Sequence, residues 1–218
     1  MAKKRIAVIG LGRFGSAFCR AARGAGLEVM AMDSDQGRVH AIADDVAEAI
    51  IADGTDPKVT ASIDWRQFFA VVVAIGTDLQ SSLITILNLK EAGVEAIWCK
   101  TRDSYHHKLA LKMGVSRAIN PEQAMGEMVA AWLGHPELCS RQVLSTGQMV
   151  AEIEVTSAHI ERNIMSLLGR HQVKLLSLSR YKDYQPEQLA QAGRLQPGDK
   201  LLLLAGEEQL EACLRSLS

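Results

Sequence analysis

The sequence has no apolar run approaching the roughly 18 residues that a membrane-spanning helix needs. Its first apolar run, Ile6-Ala7-Val8-Ile9, is too short for the core of a secretory leader, so neither anchor nor leader is expected. Four cysteines, Cys19, Cys99, Cys139 and Cys213, lie scattered without a CxxC pair. That spacing speaks against a disulfide frame or a zinc ribbon and predicts reduced thiols in a packed interior. Neither charge sign is in excess: the formal net charge is −1, so neither a nucleic acid nor an anionic membrane surface is an expected partner. The short run Lys3-Lys4-Arg5 reads as a solvated strand start.

The chain does have a hydrophobic fraction of 48% over 218 residues, enough for one large or two small packed domains. The apolar run at 6–9 opens into Gly10-Leu11-Gly12-Arg13-Phe14-Gly15, a G-x-G-x-x-G turn, and Asp33 closes the next apolar run 18 residues after Gly15. A strand, a glycine-rich turn, a helix and then an acid about 20 residues on is the fingerprint of a βαβ unit that holds a nucleotide. Gly10 permits the tight turn. Gly12 lets a pyrophosphate approach the backbone, and Gly15 lets the helix pack on the strand. The helix N-terminus offers free N–H groups to phosphate, and Asp33 accepts from ribose hydroxyls while repelling a 2′-phosphate.

Strand and helix signals alternate as far as Leu133. Strands are predicted over 4–9, 27–32, 46–51, 68–75, 96–99 and 115–119, with helices between them and a last helix from Pro121. The expected architecture is a Rossmann-like doubly wound parallel sheet. Thr77 is the expected cap of the helix through Leu89. After Gly134-His135-Pro136 the pattern changes to strand 149–155, helix 160–168, strands 173–179 and 200–204 and helix 207–217, a small α+β module. Between Tyr181 and Gly198 no strand is signalled. The expected divisions are 1–120, a linking helix and connector over 121–140, and 141–218.

His106 and His107 are adjacent and point to different sides of a helix, so they form no i, i+4 ligand pair and no metal site is expected. His135, His159 and His171 are isolated, and no acid–base constellation follows residue 135, so an enzyme is not expected. Met125, Met128, Val129 and Trp132 recur at helical spacing and suggest a packed dimer face.

These blocks together resemble the RCK (regulator of potassium conductance, or KTN) subunits of bacterial potassium uptake systems, of the KtrA and TrkA type. The resemblance rests on IGLGRFG at 9–15, Asp33, ADGT at 52–55, VVVAIGTDLQSS at 71–82, CK at 99–100, INPEQAMGEMVA at 119–130 and LQPGDKLLLLAG at 195–206. It implies a cytoplasmic, nucleotide-sensing regulator at the inner membrane face, bound to an integral-membrane potassium transporter subunit (KtrB- or TrkH-like). It implies ATP or ADP as the ligand, ATP activating and ADP inactivating, and dimers that assemble into an octameric ring. A single N- and C-domain pair favours the KtrA type. Arg13 is then the residue that reaches a terminal phosphate. Phe14 and Ser34 flank the turn and the ribose acid, Asp53 and Gly54 lie near the adenine, and Ile75, Gly76 and Thr77 lie over the nucleotide. Lys100 ends the fifth strand near the ligand, Glu122 lies near the phosphates, and the helix from Pro121 is the crossover that locks the dimer. Read from the residues alone, Arg13 is also a surface arginine of the first helical turn, Lys100 a solvated strand end, and Glu122 a helix-start acid favoured by the dipole. Two alternatives stand beside the regulatory reading: an NAD(H)-dependent oxidoreductase or redox sensor, and an RCK subunit of another channel or antiporter.

Overall fold

The computed structural model describes residues 4–161, 163–180, 186–187 and 194–217. The chain divides into two compact units, Met1–Ala124 and Met125–Ser218.

The first unit is built on six parallel strands: β1 (Arg5–Ile9), β2 (Glu28–Asp33), β3 (Glu48–Ile51), β4 (Ala70–Val73), β5 (Ile97–Lys100) and β6 (Arg117–Ile119). Their order is β3-β2-β1-β4-β5-β6, the doubly wound arrangement expected. Both faces are covered, which is why the strands are apolar throughout rather than alternating. Ala7, Ile9, Met30, Met32, Val71, Val73 and Ile97 enter one core; Ile6, Val8, Val29, Ala31 and Val72 enter the other. Parallel register aligns Ile9 with Met32 and with Val73, so β1, β2 and β4 end at one level. A ligand crevice forms beyond the strand ends where the winding reverses, here between β1 and β4.

The connecting helices are α1 (Arg13–Gly24), α2 (Gln36–Ile42), α3 (Pro57–Ser62), α4 (Leu79–Glu91) and α5 (Ser104–Lys112). Asp35, Asp56, Asp78 and Asp103 stand just before α2, α3, α4 and α5, and each side chain accepts a backbone N–H of the helix it precedes. The cap of α4 is therefore Asp78 and not the expected Thr77. Both are good N-cap residues, and the extended backbone at Asp78 decides between them. Helix α1 differs from these four: it is entered from Gly12 with no side-chain cap.

Helix α6 (Pro121–Gly134) spans the division between the units. The second unit carries an antiparallel sheet in the order β10-β9-β11-β8-β7, formed by β7 (Leu138–Val143), β8 (Gln148–Glu154), β9 (Lys174–Ser179), β10 (Pro186–Glu187) and β11 (Lys200–Gly206). One sheet face alternates cleanly: Met149, Ala151 and Ile153 of β8 and Leu201, Leu203 and Ala205 of β11 are buried. They pack with Ile164, Leu167 and Leu168 of α8 (Ile164–Arg170) and Leu210, Cys213, Leu214 and Leu217 of α9 (Glu207–Leu217).

Three expectations for this unit are corrected. β7 gave no signal because it is an edge strand with only Leu138 fully buried. The helix expected over 160–168 is two helices, α7 (Ser157–Glu161) and α8, and Asn163 caps α8 from a left-handed backbone at φ 52°. Within the polar segment expected to lack a strand, β10 pairs with the end of β9; the rest of 181–193 lies outside the described residues.

Candidate functional site

At the strand ends of the first unit lies a cleft of about 450 Å³. Its wall begins at the glycine turn. Gly10 has φ +98°, a conformation that favours glycine, and its N–H donates to Met32 O at 2.8 Å. A Cβ on Gly12 would meet no protein atom within 4 Å, so the space in front of it is open. A Cβ on Gly15 would lie 1.9 Å from the Gly10 carbonyl oxygen. Gly10, Gly12, Arg13 and Phe14 line the cleft, whereas Gly15, expected among the ligand-binding residues, is a packing glycine that holds α1 against the turn. The uncapped first turn of α1 brings N–H donors and the positive helix end to this wall.

Asp33 and Ser34 form the next part of the wall. Asp33 is only 7% exposed. Its Oδ2 accepts Leu11 N–H at 2.6 Å and its Oδ1 accepts Asp35 N–H at 2.9 Å. The carboxylate is thereby fixed in direction and keeps acceptor capacity for a ligand's hydroxyls. Arg38, which the sequence reading missed, lines the same end, with Nη1 3.5 Å from Asp33 Oδ2. Asp53 and Gly54 follow the neighbouring strand β3, just past whose end Ala52 N–H donates to Asp33 O at 3.1 Å. Asp53 Oδ1 accepts both Thr55 N–H (2.9 Å) and Thr55 Oγ1–H (2.8 Å), and Asn88 Nδ2 donates to Thr55 O at 2.9 Å. A Cβ on Gly54 would come within 2.7 Å of Ile9 Cγ2, so only glycine lets this loop sit on the end of β1.

The third wall comes from β4 and β5. Ile75, Gly76 and Thr77 follow β4 and line the cleft together with Asp78 and Ser81, two residues not expected there. Hydrogen bonds from Ser81, led by its hydroxyl, hold the Asp78 carboxyl below the usual range. Lys100 ends β5 with its side chain 13% exposed, and its Nζ donates to Glu122 Oε1 at 2.7 Å. This bond, more than the nearby charge of Arg13, keeps the Glu122 carboxyl below its ordinary value. A Cβ on Gly76 would sit 2.8 Å from Lys100 Nζ, so the lysine side chain lies close over the Gly76 backbone. Behind Lys100 a buried polar cluster ties three elements together: His106 Nε2 lies 3.1 Å from Ser82 Oγ and 3.8 Å from Cys99 Sγ. Burial lowers the His106 pKa, which keeps that ring neutral.

Thirteen of the fourteen residues expected at the site thus surround one cleft, and Gly15 supports it from behind. Chemically the cleft has two ends. N–H donors, Arg13 and Lys100 suit anionic oxygens, and the oriented Asp33 suits a diol. The other carboxylates are engaged within the protein: Asp53 with its own loop, Asp78 with a helix start, Glu122 with Lys100.

The fold and the cleft are those of the Rossmann class of nucleotide-binding domains. Residues 6–121 match the TrkA-N domain, and the chain belongs to that family. It is 35% identical over 183 residues to "Ktr system potassium uptake protein C" of Bacillus subtilis (strain 168), covering 83% of this chain and 83% of that protein. To "Ktr system potassium uptake protein A" of Vibrio alginolyticus it is 31% identical over 217 residues, 98% of each. Among solved structures, the crystal structure of the GsuK RCK domain superposes with a TM-score of 0.66 at 14% identity. That match covers 99% of this chain and 48% of the GsuK chain, so the chain spans about half its length; the likeness is one of fold.

Proposed function

We propose that this chain is the nucleotide-sensing regulatory subunit of a membrane potassium uptake system, with ATP as the activating and ADP as the inactivating ligand. One observation carries the reading: a helix start without a side-chain cap faces open space at Gly12, with Arg13 and Lys100 beside it and the fixed Asp33 carboxylate at the other end. That layout matches a phosphate chain joined to a ribose. The potassium role is supported by the similarity to the two Ktr proteins over most of the chain. Function by binding rather than chemistry is supported by the engaged state of the carboxylates. A ligand of this kind acts through its different affinities for two conformations.

The partner is an integral-membrane transporter subunit, which gives a chain with no helix long and apolar enough to cross a membrane, among the described residues, its place at the cytoplasmic membrane face. The assembly is a dimer built into an octameric ring. Met125, Val129, Trp132 and Leu133 are exposed on α6, which supports this helix as the crossover that joins two copies.

Calorimetric titration with ATP, ADP, NAD and NADH, with assembly size measured for each, tests the reading. Binding of ATP and ADP by a ring is the expected result. Preference for NADH by a dimer would favour the redox alternative, and co-purification with an antiporter would redirect the partner assignment. Asp33→Ala is expected to weaken ATP and ADP alike by about 10- to 100-fold, the value of a hydrogen bond to a charged group. Arg13→Ala is expected to weaken ATP by a similar factor and ADP much less. Equal loss of both ligands in the Arg13 variant would remove its role as reader of the terminal phosphate.

A further inference from the structure

We infer that Ser82 and Asn88 are positioning residues of the cleft: buried on α4, they tie two parts of its wall, the end of β5 at Lys100 and the loop at 53–55, to one helix. This rests on the nucleotide reading and adds how those two parts are held at a fixed spacing. A helix that covers a parallel sheet turns an apolar face to it. Helix α4 departs from that pattern. Ile86 and Leu89 are fully buried, but so are Ser82 and Thr85, and Asn88 is only 8% exposed. The three polar residues recur at every third position and so share the inward side of the helix. Polar groups buried there cost free energy unless they are hydrogen-bonded, and Ser82 and Asn88 find their partners on other elements.

At one end, Ser82 Oγ lies 3.1 Å from His106 Nε2. The other ring nitrogen fixes the direction of this bond. Arg102 N–H donates to His106 Nδ1 at 3.4 Å, so Nδ1 carries no hydrogen and Nε2–H donates to Ser82. The Ser82 hydroxyl hydrogen is then left for Cys99 Sγ at 3.7 Å, and the Cys99 thiol donates to Lys100 O at 3.3 Å. The chain of bonds runs one way, from Arg102 to Lys100, and Ser82 is its link to α4. At the other end, Asn88 Nδ2 donates to Thr55 O at 2.9 Å and holds the loop that carries Asp53 and Gly54. Between them Thr85 packs beneath that loop, its Oγ1 3.4 Å from where a Cβ on Gly54 would stand and without a hydrogen-bond partner among the described residues. Six residues of helix, about 9 Å, separate the two attachments.

The test is calorimetric titration of the wild-type chain and of the Ser82→Ala, Asn88→Leu and Thr85→Val variants with ATP and AMP, with thermal melts and with imidazole-nitrogen NMR of histidine-labelled protein. Ser82→Ala is expected to weaken ATP by about 3- to 30-fold and AMP less, because its attachment ends at Lys100. Asn88→Leu is expected to weaken both ligands alike by a similar factor. Thr85→Val, which removes an unpartnered hydroxyl, should change neither. At neutral pH His106 should show a protonated Nε2 and a bare Nδ1, and Ser82→Ala should mix the two forms. Unchanged affinity in both Ser82→Ala and Asn88→Leu would overturn the inference and leave the polar residues of α4 a packing feature. An equal loss in Thr85→Val would do the same, since any change inside α4 would then weaken binding. A wild-type His106 with its proton on Nδ1 would break the chain at Arg102 and remove the part given to Ser82, however the variants fold. If the wild type takes neither ligand, the nucleotide reading falls and this inference with it.

Discussion

Alanine at Gly12 is expected to leave the protein as stable as before and to abolish tight nucleotide binding, whereas alanine at Gly15 is expected to destabilise the first unit itself. Both glycines belong to one short motif, yet their surroundings differ. At Gly12 the backbone has φ −64°, which alanine adopts freely, and the added methyl group would touch no protein atom within 4 Å. Stability should change by no more than about 0.5 kcal/mol, as for an unremarkable surface substitution. The methyl group would instead occupy the space in which a phosphate must approach the helix start, and affinity should fall by well over tenfold. At Gly15 the same methyl group would stand 1.9 Å from the Gly10 carbonyl oxygen, and a backbone atom cannot swing aside as a side-chain tip can. Helix α1 must shift on β1, at about 3 kcal/mol or more by the experience of overpacked cores. Thermal melts and nucleotide titration of the two variants check this. Unaltered affinity in the Gly12 variant would mean that the open space is not the ligand's, and an unaltered melt in the Gly15 variant would mean that the helix start yields more easily than its geometry indicates.

The second large effect belongs to the other unit. Asp199→Asn is expected to cost about 3–5 kcal/mol at neutral pH, the usual result of breaking a buried ion pair from one side. Asp199 is 1% exposed and Arg180 grips it with two bonds, Nε to Oδ1 and Nη2 to Oδ2, each 2.8 Å. Gln196 N–H adds a third at 2.8 Å, and the Asp199 carbonyl accepts Val155 N–H at 2.7 Å, so the residue joins the turn before β11 to the end of β8. The bond from Arg180 holds this carboxyl below its ordinary 3.8. A depressed value in the folded state stabilises the fold above the unfolded value, and that contribution is lost as pH falls through the folded one. The gap between wild type and variant should therefore stay constant from neutral pH down to about 5 and close below about 4. Denaturant unfolding across that range gives the curve. A gap that widened in acid would contradict the assignment of Asp199 as the ionised partner.

Much of the first unit was legible in the sequence because its signals are local. The turn at 10–15 and the acid at 33 are set by strand length and by one helix, so spacing alone brings them together. Residues that reach the cleft through a longer path were harder to read. Arg38 arrives there only because α2 begins directly after Asp33 and its side chain turns back on that helix start. Asp78 and Ser81 were hidden by the assignment of the helix cap to Thr77, one position early. In the second unit β7 carries little apolar pattern, since an edge strand needs to bury only one end. The break between α7 and α8 depends on an asparagine in a left-handed conformation, which no periodicity announces. His106 was read only as a helical neighbour of His107 that forms no ligand pair, because its pairing with Ser82 and Cys99 needs α4, β5 and α5 packed together.

The strand order also has a mechanical consequence. The six-stranded sheet is two three-stranded halves wound in opposite directions and joined along one seam, the four residue pairs of β1 against β4. One half ends in Asp33 and the other in Lys100. A ligand that touches both spans the seam like a staple across a book's spine, and its reach depends on how many phosphate links it carries. On the proposed reading, a ligand with the longer phosphate chain reaches across this seam from Asp33 to Lys100, and one with the shorter chain stays on the near side.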